Sequence, residues 1–239
     1  MKPENRFTDF LNLIIRKNKL DLSVKEKFIF LSYENYLSNT NSENKFIIYE
    51  DWWRYKPEVI KSKVKSILKL STRIYARQCT VKKINKPEAD NFLHENHIYG
   101  TTNSKVKYGL FFNETLFGLA TFASQRQFKD NSRSAEMLRF CTKNGYSVTG
   151  GLDKITQAYI KHYQPDTIMT YIDTDWGKGD AFIKLGFNKT GIKPPESFLV
   201  NTKTGKRTPE KYFSDFENRK SYIKVQNSGS IKMIKKIKQ

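Results

Sequence analysis

Apolar and polar residues alternate with a helical rhythm at the start of the chain and a strand rhythm through its middle. Phe7, Phe10, Leu11 and Ile14 recur at amphipathic-helix spacing. Phe28, Leu31 and Tyr36 extend that spacing after Ser23, an N-cap type with Glu26 placed to complete a capping box. Two helices are therefore predicted between residues 7 and 37, followed by a polar loop over 38–44. Phe46-Ile47-Ile48-Tyr49 predicts a short strand, and the adjoining Trp52-Trp53 pair is expected to dock on the helices. A third helix begins near Pro57, a residue suited to a first turn. Ile60, Val64, Ile67 and Leu68 form its apolar face, with Lys61, Lys65 and Lys69 recurring on the other side.

The rhythm changes after Thr72. A strand is predicted over 74–84, and a helix over 87–97 entered through Asn85 as cap. Val106 to Phe112 and Leu116 to Phe122, joined at Asn113-Glu114, form a hairpin pattern. A strand over 135–141, a helix over 152–163 opened by Gly150-Gly151, a buried strand over 167–172 and a short helix over 179–185 follow. Phe187 resumes the sheet, and residues past Pro194-Pro195 predict a hairpin turning at 203–206. Asn227-Ser228-Gly229 predicts a last hairpin between Tyr222 and Lys235. The expected fold is α/β, a mixed central sheet flanked by helices. It has an N-terminal helical region (1–72), a central domain (73–215) and a basic C-terminal hairpin or tail (216–239).

Charge narrows the function. The formal net charge is +19, which favours a polyanionic partner, with nucleic acid ahead of an anionic membrane surface. The excess concentrates in two segments, 56–77 and 217–239, each with a single acidic residue. Lys61, Lys65, Lys69, Arg73, Lys235 and Lys236 are the candidate nucleic-acid contacts. Solvated helix faces are the alternative. No apolar run approaches a membrane span, no signal core is visible, and Cys79 and Cys141 form neither a disulfide framework nor a zinc motif. A cytoplasmic protein without bound metal is expected.

Three segments can carry chemistry. Val148-Thr149-Gly150-Gly151, with Lys154 beyond, lies between a strand and a helix, where backbone N–H groups converge on an anion. Its spacing matches neither the dinucleotide fingerprint nor the P-loop, and a plain turn is the alternative. Asp173 ends a buried strand, a position suited to a base or orienting group, or else to a helix cap. His94 and His97 share a helix face without an evident third metal ligand, so His97 is weighed as an acid/base or substrate contact and as a surface histidine.

Gly150-Gly151 through Phe182-Ile183-Lys184-Leu185-Gly186-Phe187 resembles the second half of a GNAT-superfamily N-acetyltransferase domain. In that family the loop between strand and helix cradles CoA pyrophosphate, and the next strand carries catalytic groups. The glycine loop here departs from the family's usual pattern. A narrower resemblance, over about residues 92–191, is to the Mom-type phage proteins that modify adenine in DNA. It rests on His97-Ile98-Tyr99, the hairpin from Tyr108 to Phe122, Glu136-Met137-Leu138-Arg139, Asp173-Thr174-Asp175-Trp176-Gly177 and Thr190-Gly191.

The resemblance implies acyl transfer from acetyl-CoA or another acyl-CoA to adenine in DNA. His97, Glu136, Arg139 and Asp173 would act at the catalytic centre, and Tyr99, Tyr171 and Trp176 would contact the base. Glu136 and Arg139 point to opposite faces of a regular strand, so their direct pairing requires a bulge. The alternatives are a DNA-binding protein with an inactive GNAT-like fold, or a homing-type endonuclease using Asp173, Asp175 and Asp180.

Overall fold

A computed structural model describes residues 2–35, 45–214 and 219–237. The predicted loop over 38–44 lies outside them. The chain forms two compact units, each assembled from separated stretches. One comprises Met1–Ile60, Asp173–Lys178 and Ile192–Ser230; the other comprises Lys61–Ile172, Gly179–Gly191 and Ile231–Gln239.

In chain order the first elements are α1 (Pro3–Asn18), β1 (Phe28–Leu31), β2 (Phe46–Tyr49), α2 (Glu50–Tyr55), α3 (Pro57–Ile67), β3 (Thr72–Tyr75) and β4 (Thr80–Lys83). Next come α4 (Lys86–Asn96), β5 (Val106–Phe112), β6 (Thr115–Phe122), β7 (Arg126–Gln127), β8 (Arg133–Thr142), β9 (Tyr146–Thr149) and α5 (Gly151–Tyr163). The last are β10 (Thr167–Asp173), α6 (Asp180–Lys184), β11 (Asn188–Lys193), β12 (Ser197–Asn201), β13 (Arg207–Pro209), β14 (Tyr222–Gln226) and β15 (Ser230–Lys236).

The second unit is built on an eight-stranded sheet in the order β11-β15-β10-β8-β6-β5-β4, with β7 against β8. It is mixed, because β8 runs parallel to β10 and antiparallel to β6. The β5–β6 hairpin turns on Asn113 and Glu114, both at positive φ (46° and 58°), the turn whose twist suits paired strands. One sheet face packs Leu110, Ala120, Phe122, Ala135, Met137 and Ile168 against Leu152, Ile155 and Tyr159 of α5. The other packs Leu119 and Cys141 against Ala89, Phe92 and Leu93 of α4. Helices on both faces of a mixed sheet are the predicted architecture.

The first unit contains parallel β1–β2, the three-stranded sheet β13-β12-β14, α1 and α2. Phe7 meets Phe28, Phe30 and Trp53 in close ring contacts. Asp51, fully buried, holds Arg207 through two hydrogen bonds of 2.6 and 2.8 Å.

Four expectations need correction. The second predicted helix is a short 3-10 turn over Leu22–Lys27, capped by Asp21 instead of Ser23, and then strand β1. Its Phe-Ile-Phe-Leu run suits a strand that pairs with β2. The strand predicted over 74–84 divides at a 3-10 turn (Ala76–Gln78), because β3 pairs with β9 whereas β4 pairs with β5. The acidic and aromatic residues 50–55 form α2, which the aromatic pattern concealed. Finally, Tyr222 to Lys235 is no hairpin: β14 joins β12, and β15 lies between β11 and β10 in the large sheet.

Candidate active site

The second unit gathers a polar cluster on the α4 face of its sheet. Ala135 and Met137 point into the α5-side core, so Glu136 faces the opposite side. Register then shifts: Met137 pairs with Phe122 and Arg139 with Thr121, leaving Leu138 as an extra residue on β8. That bulge is the irregularity needed for Glu136 and Arg139 to share a face. The Arg139 guanidinium is half-buried, and desolvation pulls its pKa below the ordinary value, opposed in part by the carboxylate of Glu136. Burial also pushes the Cys141 thiol up to about 12, which keeps it protonated at neutral pH.

Above this face, α4 ends at His97, and a turn closes by a 3.0 Å bond from the Gly100 N–H to the His97 carbonyl. Gly100 takes φ 62°, a conformation natural to glycine. Asn96 accepts the Asn144 N–H at 2.7 Å, and Asn144 donates to the Glu95 carbonyl at 2.9 Å, fixing the end of α4. The turn sets the His97 and Tyr99 ring centres 6.2 Å apart and places the Arg139 guanidinium 5.8 Å from the Tyr99 ring. His97 Nδ1 accepts the Tyr99 N–H at 3.2 Å. The neutral ring therefore carries its proton on Nε2 and presents a donor there. Glu136 is the carboxylate this cluster offers.

Two polar atoms in the cluster are left over. Arg139 Nη1 donates to the Leu138 carbonyl at 2.9 Å. Its Nε, and Oγ1 of the fully buried Thr121, have no hydrogen-bond partner among the described residues. Thr121 is the direct cross-strand neighbour of Arg139. Sequence reasoning missed it, since one threonine in a strand carries no signal. Beside the bulge, the parallel ladder of β8 and β10 covers only Ser134–Glu136 and Thr167–Met169, although both strands run on. Thr170 Oγ1 closes its end by donating to the Met137 carbonyl at 3.0 Å. Tyr171, 42% exposed, lies two residues beyond Met169, the cross-strand neighbour of Glu136, and so shares this face.

The glycine loop is formed as predicted, with fewer available side chains. Gly150 caps α5 at φ 79°. A Cβ on Gly151 would stand 2.8 Å from Leu110 Cδ1 and 3.1 Å from Val148, so tight packing explains the second glycine. Val148 is a core side chain, and Lys154 donates to the Ala76 carbonyl at 2.8 Å and to that of Cys79. Thr149 and Gly150 are exposed, whereas Gly151 and Leu152 of the first α5 turn are buried.

The remaining candidates make contacts of their own. Asp173 Oδ1 accepts the Asp175 N–H at 2.9 Å in a local turn; the next helix, α6, has Gly179 as its N-cap, so Asp173 does not fill the helix-cap role weighed for it. Trp176 stacks on Trp52 with ring centres 5.3 Å apart. Asp175 is buried, bonded to Tyr49 Oη and the Ser228 N–H. Among the described residues no group of three or more His, Cys, Asp or Glu side chains is arranged to hold a metal. Lys65, Lys69 and Arg73 are exposed. Lys235 donates to the Leu185 carbonyl at 2.6 Å, and with Lys236 it belongs to β15, so neither is part of a detached basic arm. No helix among the described residues is long and apolar enough to cross a membrane.

No protein-family model and no curated protein sequence matches the chain. Among solved structures it is similar to the ribosomal-protein-S18-alanine N-acetyltransferase from Escherichia coli (TM-score 0.44, 14% identity, 67% of this chain and 95% of that one). Ard1 from Thermoplasma volcanium gives a TM-score of 0.43 at 12% identity, covering 68% of this chain and 99% of that one. A GNAT family acetyltransferase from Elizabethkingia anophelis with acetyl-CoA bound gives 0.40 at 13% identity, covering 67% and 99%. Likenesses of this degree assign no activity to the chain.

Proposed function

We propose that this chain transfers an acyl group from an acyl-CoA to an amine, and that the acceptor is the exocyclic amine of adenine in DNA. The observation that carries the first part is the bulge at Leu138, which sets Glu136, Arg139 and Thr121 on one face beneath Tyr99 with two buried donors left over. Buried polar atoms without partners are costly in a chain that keeps them for nothing. A polar ligand group entering beside the bulge would satisfy both.

An acyl-CoA fits what the residues offer. Its pyrophosphate suits the N-terminus of α5 at Gly150, and its amide-bearing arm suits strands whose ladder stops short. When bound, it supplies an activated thioester carbonyl. Glu136 takes the proton from the attacking amine. Arg139 Nε and the Thr121 hydroxyl donate to the oxygen on which charge develops. Tyr99 and Tyr171 offer ring faces to an unstacked base. The +19 charge supports a polyanionic acceptor, and the Mom-type resemblance supports adenine.

The test is to incubate the protein with an adenine-containing oligonucleotide and acetyl-CoA, then weigh the digested nucleosides. Deoxyadenosine heavier by one acetyl group is expected. CoA release with other amines but unchanged nucleosides would replace the acceptor. No release with any amine would remove the transfer reading. A second reading, a nucleic-acid binder that kept the fold without the reaction, is favoured by the engagement of Lys154 and Val148 within the protein. It predicts no thermal shift with acetyl-CoA.

A further inference from the structure

Away from the bulge, β3 carries an arrangement that the acyl-transfer reading does not use. Ile74 and Ala76 point inward, while Arg73, Tyr75 and Arg77 are exposed. The Arg77 guanidinium lies 5.2 Å from the Tyr75 ring centre, and Tyr75 remains 43% exposed. Neither Arg73 nor Arg77 is in an ion pair among the described residues. The strand is held in place by its parallel pairing with β9 and by the Thr72 N–H on the Gly145 carbonyl at 2.9 Å. Lys65 and Lys69, also exposed, precede it.

We propose that β3 and the 3-10 turn that follows it form a docking platform for single-stranded nucleic acid, with a base stacked on Tyr75 and phosphates at Arg73 and Arg77. Arg73 and Tyr75, alternate residues of the strand, stand about 6.6 Å apart, about twice the ~3.4 Å rise of stacked bases along one strand of a duplex; Arg77 follows in the 3-10 turn. Side chains at that spacing meet a backbone drawn out of its stack. An aromatic face also needs a base with its own face open, which paired DNA does not offer along its length. Two unpaired guanidiniums supply charge complementarity and can release counterions from the phosphates. The assignment rests on the nucleic-acid reading for its partner class and narrows it to the unpaired form, the form in which an adenine amine is accessible.

The experiment is fluorescence anisotropy of the full chain with a labelled 12-nucleotide single strand and with its duplex, across a salt series. The wild type is expected to prefer the single strand. Tyr75→Ala is expected to weaken single-strand binding about 5-fold or more and leave duplex binding unchanged, while Tyr75→Phe retains wild-type affinity. Arg73→Gln with Arg77→Gln is expected to lower the log–log salt slope by about 1.4. Equal single-strand affinity of Tyr75→Ala and wild type would overturn the platform, as would a wild-type preference for duplex or displacement of the strand by free CoA. Failure of the acyl-transfer reading is a different result: unchanged nucleosides with platform binding intact.

Discussion

Each compact unit holds an arginine against aromatic rings, and the two are treated in opposite ways. Arg207 meets a fully buried Asp51 in a two-point ion pair and lies 4.4 and 4.1 Å from the ring centres of Tyr49 and Trp52. Arg139 rests 5.8 Å from a single ring, spends one donor on its neighbour's carbonyl and leaves Nε without a partner beside an equally unpartnered hydroxyl. The first arrangement fixes a fold, since the pair's charges neutralise each other where water is excluded. The second leaves hydrogen-bonding capacity for something outside the chain. Burial of charge alone does not distinguish structure from function; what separates the two is the buried carboxylate that neutralises Arg207 and that Arg139 lacks among the described residues.

Substitution can break that comparison. Arg207→Met strands the Asp51 carboxylate, and urea unfolding is expected to show a loss of about 3–5 kcal/mol. Adding Asp51→Leu should recover part of it. Arg139→Met removes a charge that has no ion-pair partner among the described residues, so its unfolding free energy should change by less than about 1 kcal/mol. If Arg139→Met melts as badly as Arg207→Met, the contrast is wrong. Thr121→Val removes a hydroxyl that has no hydrogen-bond partner among the described residues, and stability should hold or rise by up to about 1 kcal/mol.

The smallest effect concerns Asp175, whose carboxyl desolvation raises above the ordinary 3.8. Folding then favours the neutral form. Its contribution is full below the unfolded value and is lost as pH rises through the folded one. Asp175→Asn should therefore gain on the wild type in melts taken from about pH 4 upward. A difference that stays flat with pH would deny the buried carboxylate its charge penalty.

The two units also differ in how far the sequence discloses them. The β5–β6 hairpin, α4 with its Asn85 cap, and α5 behind Gly150 were legible because turn and cap chemistry is local. The need for a bulge between Glu136 and Arg139 was legible from side-chain alternation alone. The position of β15 between β10 and β11 was not, because Asn227-Ser228-Gly229 specifies a turn and says nothing of which sheet each flanking strand joins. Asp51 and Arg207 stand 156 residues apart, and no local pattern connects them. Within the candidate site, Glu136, Arg139, His97 and Tyr99 were named in advance, whereas Thr121 became visible only through its register with Arg139.

The measurement that bears most directly on the unspent donor is release of CoA thiol from acetyl-CoA with an adenine-containing single strand, by wild type and Arg139→Met side by side. A fall of about 100-fold or more in kcat/KM for the variant is predicted, with its melting temperature close to that of the wild type. Equal rates would contradict the assignment of Arg139 to the reaction.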